Sequence, residues 1–292
     1  MTPSTRKTPG AADRIIDAAL KTLSTEGLEV GLENIRMEEA IAVSGVSRAT
    51  AYRRWPSRQE FLTDVLVAAV TRTDLIPEGE EDIRLLMELV EARMPRLHLD
   101  QERRDLVVEA LRFTLDADIK RLMHSRQWRT AMSLSALHPT LEPASVRDQV
   151  GVALREADRR LDTSRAAIYR NLASMIGYRP VIDVRHGEED AFDSLARAAG
   201  VMMKGVLLRA LPDPGWIERR QRVHLFGCSH PLDWSEPERM LVQLLLSHLE
   251  PDPDLVWDQQ SVRVSHAALV ELVRTLYGRV PGDAGEADPV TH

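Results

Sequence analysis

The stretch from Gly45 to Glu60, GVSRATAYRRWPSRQE, leaves room for one short helix and little else. Gly45 ends the segment before it, because glycine enters the left-handed backbone region without steric cost. Ser47 is a strong helix N-cap. Pro56 drives the residue before it away from helical angles, so the helix that Ser47 starts is over by Trp55. Ser57 and Glu60 have the spacing of a capping box and open the next helix. About two turns of helix are thus held between a glycine turn and a proline stop.

The apolar residues elsewhere recur at helical spacing. Ile15, Ile16, Ala19, Leu20 and Leu23 form the stripe of a first helix that ends at Glu26-Gly27. A second helix runs from about Arg36 to Ser44, and the helix opened by Ser57 carries Phe61, Leu62, Val65, Leu66, Ala69 and Val70 toward Pro77. Past an acidic stretch at 78–82 come amphipathic segments near 80–98, 101–124, 143–161, 188–210, 236–249 and 262–278. They are broken at His138-Pro139, Pro212–Pro214 and Pro251–Pro253. No alternating strand pattern stands out beyond short runs such as Val181–Val184. The expectation is an all-α protein: a small helical domain over 1–76, a larger one over 77–280, and a disordered Gly-, Asp- and Pro-rich tail over 281–292.

Charge is distributed unevenly. The whole chain carries −7, yet the first 62 residues hold nine Arg and Lys against eight Asp and Glu, which leaves −8 for the rest. Arg48, Arg53, Arg54 and Arg58 fall in a stretch with no acid. With 43% apolar and 28% charged residues the chain is not a disordered one. A single cysteine, Cys228, forms no disulfide framework and suits a reducing compartment. The opening residues lack the apolar core of a secretory leader, and runs such as Val65–Val70 are too short to cross a bilayer. A cytoplasmic protein with no membrane partner is expected.

A helix, a glycine-centred turn and a second helix make the layout in which the second helix enters the DNA major groove. Arg48, Ala49, Tyr52 and Arg53 cover one arc of that second helix, while Ala51 and Trp55 adjoin on another side. Arginine bonds guanine through two donors, and the methyl of Ala49 or Thr50 can touch a thymine methyl. Tyr52, Arg58 and the helix N-terminal amides suit phosphates. Val46, Ser47 and Arg54 complete the expected contact set, with Arg6 and Lys7 on an N-terminal arm and Arg36 at the second helix, where Asn34 would cap. Arginine-rich faces are common in a chain with 34 arginines and four lysines, and a solvated face is the bland alternative. The turn, the proline stop and the capping box together favour DNA.

From Asp13 to Leu66 the chain resembles the DNA-binding domain of TetR-family transcriptional regulators. The resemblance is carried by Ile15–Leu23, Ile35–Ser44, Gly45-Val46-Ser47, Tyr52, Trp55 and Ser57-Arg58. It implies a homodimeric, ligand-responsive regulator, most often a repressor, that binds a roughly palindromic operator and is released by a small molecule. It also implies dimerisation through late helices, for which 188–210 and 236–249 are candidates, and an effector pocket in the second domain. Methionine adapts to irregular ligands, so Met94, Leu111, Phe113, Met123, Trp128 and Met132 are taken as candidate lining residues. The chain departs from the family pattern at Arg36, at Ala40-Ile41 and at Ala51, where a larger Ile41 facing a smaller Ala51 would conserve core volume.

Ser164–Ser174, SRAAIYRNLAS, repeats six of the eleven residues of Ser47–Ser57. Asp162 stands where the turn glycine would be and no proline follows, so ordinary helix surface is expected there. His224, Cys228, His230 and Asp233 gather metal-ligand side chains, but at a spacing that fits no zinc signature. No metal or other cofactor is expected. Neither G-x-S-x-G nor H-E-x-x-H nor a P-loop occurs, and no catalytic role is expected. A helical scaffold or small-molecule-binding protein that does not read DNA is the other class open to such a chain.

Overall fold

The structure, a computed structural model, describes residues 10–26, 35–73, 75–76, 79–181 and 190–277. It is mostly helical. In chain order the helices are α1 (Ala11–Glu26), α2 (Met37–Ser44), α3 (Arg48–Arg54), α4 (Arg58–Thr71), α5 (Glu80–Arg93), α6 (Asp100–His124) and α7 (Arg126–Leu137). They continue with α8 (Ala144–Met175), α9 (Ala191–Ala210), α10 (Gly215–Glu218), α11 (Glu236–His248) and α12 (Gln259–Tyr277). Two antiparallel ribbons accompany them. β1 (Tyr178–Pro180) pairs with β4 (Leu249–Pro251), and β2 (Gln221–Val223) pairs with β3 (Leu232–Trp234). These strands are absent from the sequence reading because three residues are too few to display a period of two.

The chain forms two compact units. The first takes in the chain up to Leu75 together with His124–Leu161. α1 packs on α2 and α4, and α7 packs on α4 and α1. Ile15, Leu23, Ile41, Phe61 and Leu66 share one core with Leu134, Val146 and Val150. The chain leaves this unit after Leu75, and residues 124–161, assigned by sequence to the second domain, belong to it; Pro77, where the boundary was expected, lies outside the described residues. α4 is shorter than its sequence pattern, ending at Thr71. The Arg72 and Thr73 amides donate to the Ala68 and Val70 carbonyls, and Arg72 pairs with Asp13 and Asp17 of α1.

α8 is a single helix of 32 residues. Ser164–Ser174, the echo of the α3 region, lies inside it with no turn. With Asp162 in place of glycine nothing favours left-handed backbone there, and Asp162 pairs with Arg165 one turn on at 3.1 Å. The helix expected over 143–161 therefore continues to Met175.

The second unit comprises Ile76–Met123 and the chain from Asp162 onward. α9 packs on α11. The start of α11 is fixed by a capping box: the Glu238 amide donates to Ser235 Oγ at 3.4 Å and the Ser235 amide donates to Glu238 Oε2 at 2.6 Å. Glu238 is fully buried, so its charge requires a partner. Arg220 supplies it, at 2.8 Å and 3.0 Å from the two oxygens, and also reaches Asp116 of α6 at 2.7 Å. Gly177, between α8 and β1, has φ +63, and a Cβ there would sit 2.8 Å from Leu255 Cδ2 and 2.9 Å from Trp257 Cε3. Only glycine fits both the angle and the space.

Candidate nucleic-acid interface

The turn between α2 and α3 folds as its residues dictate. Gly45 adopts φ 68, which closes α2, and Ser47 Oγ accepts the Thr50 amide at 3.2 Å to start α3. The Trp55 amide still donates to the Ala51 carbonyl at 2.8 Å, and Pro56 ends the run. Ser57 caps α4 by accepting the Glu60 amide at 3.2 Å. Its hydroxyl donates to the Glu60 carboxylate at 3.1 Å, so the box closes through side chains.

The inner side of α3 anchors it. Ala51 is fully buried and Trp55 is 1% exposed, in edge-to-face contact with Phe61 at 5.4 Å between ring centroids. Trp55 Nε1 donates to Asp64 Oδ2 at 2.8 Å. Ile41 and Ala51, the pair in which this chain departs from the family pattern, are both buried in this core.

The outer side carries the expected contact residues, with corrections. Ser47, Arg48, Ala49, Tyr52, Arg53 and Arg58 are exposed, as is Arg36 on the approach to α2, while Thr50 is half-buried. Val46, placed by sequence in the contact set, is instead 8% exposed and belongs to the core, because the left-handed Gly45 turns the next side chain inward. Arg54 is turned toward α4: it donates to Asp64 Oδ2 at 2.8 Å and covers the Trp55 ring. Its charge is therefore answered within the fold, a pairing that the acid-free stretch around it does not reveal. Arg36 does not cap α2 with its side chain and lies 3.7 Å from Glu39. Lys7, Arg6 and Asn34 lie outside the described residues.

Tyr52 has a partner that sequence reasoning missed. Its hydroxyl donates to Glu38 Oε1 of α2 at 2.6 Å. The hydrogen bond from Tyr52, with help from the nearby Arg48 charge, holds the Glu38 carboxyl below its usual range, and the same bond raises the Tyr52 phenol. The only signal in the sequence was their separation of fourteen residues across the turn. The Arg53 side chain is exposed on this face of α3.

The second unit contains a partly open, mainly apolar cavity of about 150 Å³ lined by α5, α6, the end of α8, the Trp257 segment and α12. Met94 and Leu111, two of the residues chosen from sequence, line it. Phe113 and Met123 lie half-buried elsewhere on α6. Trp128 and Met132 are buried in the first unit, because α7 packs there. Arg103, Trp257 and His266 also line the cavity, and periodicity alone gave no reason to group residues so far apart in the chain.

The cysteine and histidine cluster is rearranged from its sequence grouping. Cys228 and His230 meet Asp105 of α6, with ligand atoms within 4.8 Å of one another, while Asp233 pairs with Arg222. Burial pushes the Cys228 thiol up, with the Asp105 and Glu109 charges adding to it. Asp105 is already engaged: it accepts the Ser229 amide and the Gln101 side chain, each at 2.8 Å, and the Ser229 hydroxyl. Burial opposes its charge, but these hydrogen bonds outweigh burial and hold its carboxyl below the usual range. His230 Nε2 lies 2.8 Å from Glu109. The arrangement pins the 226–230 turn to α6.

Comparison with known protein families, curated proteins and solved structures gave no match to this chain.

Proposed function

We propose that the chain is a DNA-binding transcriptional regulator of the TetR type, with α3 as the helix that enters the major groove. The observation that carries this reading is the two-sidedness of α3: Ala51 and Trp55 fix it to the core, while Arg48, Ala49, Tyr52 and Arg53 stand outside. Arg48 and Arg53 suit guanine edges, the Ala49 methyl lets the helix approach closely, and Tyr52, Arg58 and Arg36 suit phosphates. Tyr52 must exchange Glu38 for a phosphate on binding. The regulator acts as a homodimer on a roughly palindromic operator, most simply as a repressor that a small molecule releases through the second unit.

Binding is tested by fluorescence anisotropy on duplexes from the chain's own upstream region and on random duplexes. Arg48→Ala is expected to relax preference at one base position, by about 1–3 kcal/mol. Arg58→Ala is expected to weaken all duplexes alike and to lower the log–log salt slope by about one. If both variants bind every duplex as the parent does, α3 is not the reading helix and the chain is a helical binding protein of another kind.

Self-association is supported by apolar side chains left exposed on α9 and α11. Val201 is 68% exposed, Leu208 51% and Met240 40%. Val201 and Leu208 are two helical turns apart on α9, and Gly205 between them has open space beside its Cα. Leu208→Glu is expected to convert the dimer to monomer without a change in helix content, read by sedimentation velocity alongside circular dichroism. A dimer that survives this change would place the interface elsewhere.

A further inference from the structure

We infer that the cavity of the second unit is a binding site for a small carboxylate with an apolar body, and that Arg103 selects the charge. The site is argued from the second unit alone; only its role as the effector site rests on the regulator reading.

The walls set the body of the ligand. Val90, Met94, Leu106, Leu111 and Met175 are among the side chains around the space. An apolar cavity of about 150 Å³ is the size known to accept one benzene ring. The ligand is therefore a benzoate-sized acid or a short branched alkanoate.

Arg103 sets its charge. The side chain is 93% buried and lines the cavity, yet its one acidic partner among the described residues is Asp100, at 3.0 Å, whose own side chain is 89% exposed to water. The guanidinium lies 4.9 Å from the Trp257 ring and 5.8 Å from the Tyr178 ring, which hold its plane without meeting its donors. Nη1 is buried with no partner. A buried cation with an unmet donor is costly. Among the described residues no Asp or Glu lines the cavity, so no carboxylate in the wall meets the guanidinium donors, and the Trp257 ring offers only its face. A carboxylate would: it accepts from guanidinium with strong, charge-assisted geometry. His266 also lines the cavity, and its Nε2 is a second buried atom with no partner. Thr114, by contrast, already donates to the Ala110 carbonyl at 2.9 Å.

The test is calorimetric titration of the full chain with benzoate, benzamide, benzylammonium and toluene, which share one shape and differ in charge. Benzoate is expected to bind at least about tenfold more tightly than benzamide, and benzylammonium not to bind. Arg103→Met should lose benzoate and keep toluene, Arg103→Lys should retain the preference for benzoate over benzamide, and Ala110→Phe should exclude both benzoate and toluene. The lysine variant keeps the test alive if the methionine variant fails to fold. Equal affinity for benzoate and benzamide, or benzoate binding unchanged in Ala110→Phe, overturns the site. DNA affinity is measured separately with and without benzoate. Benzoate binding that leaves DNA affinity unaltered supports the carboxylate site and overturns its effector role.

Discussion

Trp55→Ala is expected to destabilise the first unit by about 3–5 kcal/mol, the range for removing a buried aromatic side chain. Against a domain stability of about 5–15 kcal/mol, that leaves the unit close to unfolding. The indole does three things at once. It fills the core beneath α3 at 1% exposure, it stands edge-to-face on Phe61, and its Nε1–H satisfies the Asp64 carboxylate that also holds Arg54. Because Trp55 sits where α3 stops, its loss releases the very helix proposed to read DNA. Urea unfolding followed by circular dichroism measures the loss, and operator binding should fall with the folded fraction. Trp55→Phe keeps an aromatic ring but gives up the hydrogen bond and part of the buried indole volume, for a loss of about 2–3 kcal/mol. Arg53→Ala, on the exposed side, should weaken binding while unfolding like the parent. A Trp55→Ala protein within about 0.5 kcal/mol of the parent would show that α3 is held by something else.

Glu238→Ala is expected to cost the second unit a comparable amount, about 3–5 kcal/mol, for a different reason. The carboxylate is fully buried and closes two structures: the cap at the start of α11 and the chain of charge through Arg220 to Asp116. Its removal leaves the Ser235 amide without an acceptor and Arg220 with only one of its two acids. Glu238→Gln preserves shape and part of the cap and should lose less. Replacing both partners, as Glu238→Leu with Arg220→Met, should recover much of the loss, because the pair's attraction is largely spent on its own desolvation. Thermal unfolding of the set gives the answer. If Glu238→Ala melts with an exposed control such as Glu271→Ala, the ion pair does not organise α11.

What was legible in the sequence was local. Ser47, Gly45, Pro56 and Ser57 act on their immediate neighbours through capping and backbone angle, so α2, α3 and the start of α4 could be placed closely. The burial of Phe61, Val65, Leu66, Ala69 and Val70 followed from helical spacing in the same way. Long-range pairing was not legible. Nothing in RATAYRR shows that Arg54 will fold back on Asp64 or that Tyr52 will find Glu38. Val46 reads as a turn residue until the angle at Gly45 sends it into the core. α7 went unseen because its apolar residues, Trp128, Met132 and Leu134, are few, and it is tertiary packing that gives them a core to enter. Of the six side chains grouped from sequence only Met94 and Leu111 line the cavity, whereas Arg103 looks like any surface arginine until Trp257 and Tyr178 close over it.

Gly177 gives that last point an evolutionary edge. It does not line the cavity, yet the Trp257 ring rests where its side chain would be, and the same ring lies over Arg103. Gaining a single methyl group there would push the indole and with it the guanidinium, while the identity of every residue lining the cavity stays the same. On the carboxylate-site proposal, a lineage carrying this fold could thus drift from one ligand charge to another through a codon outside the cavity lining.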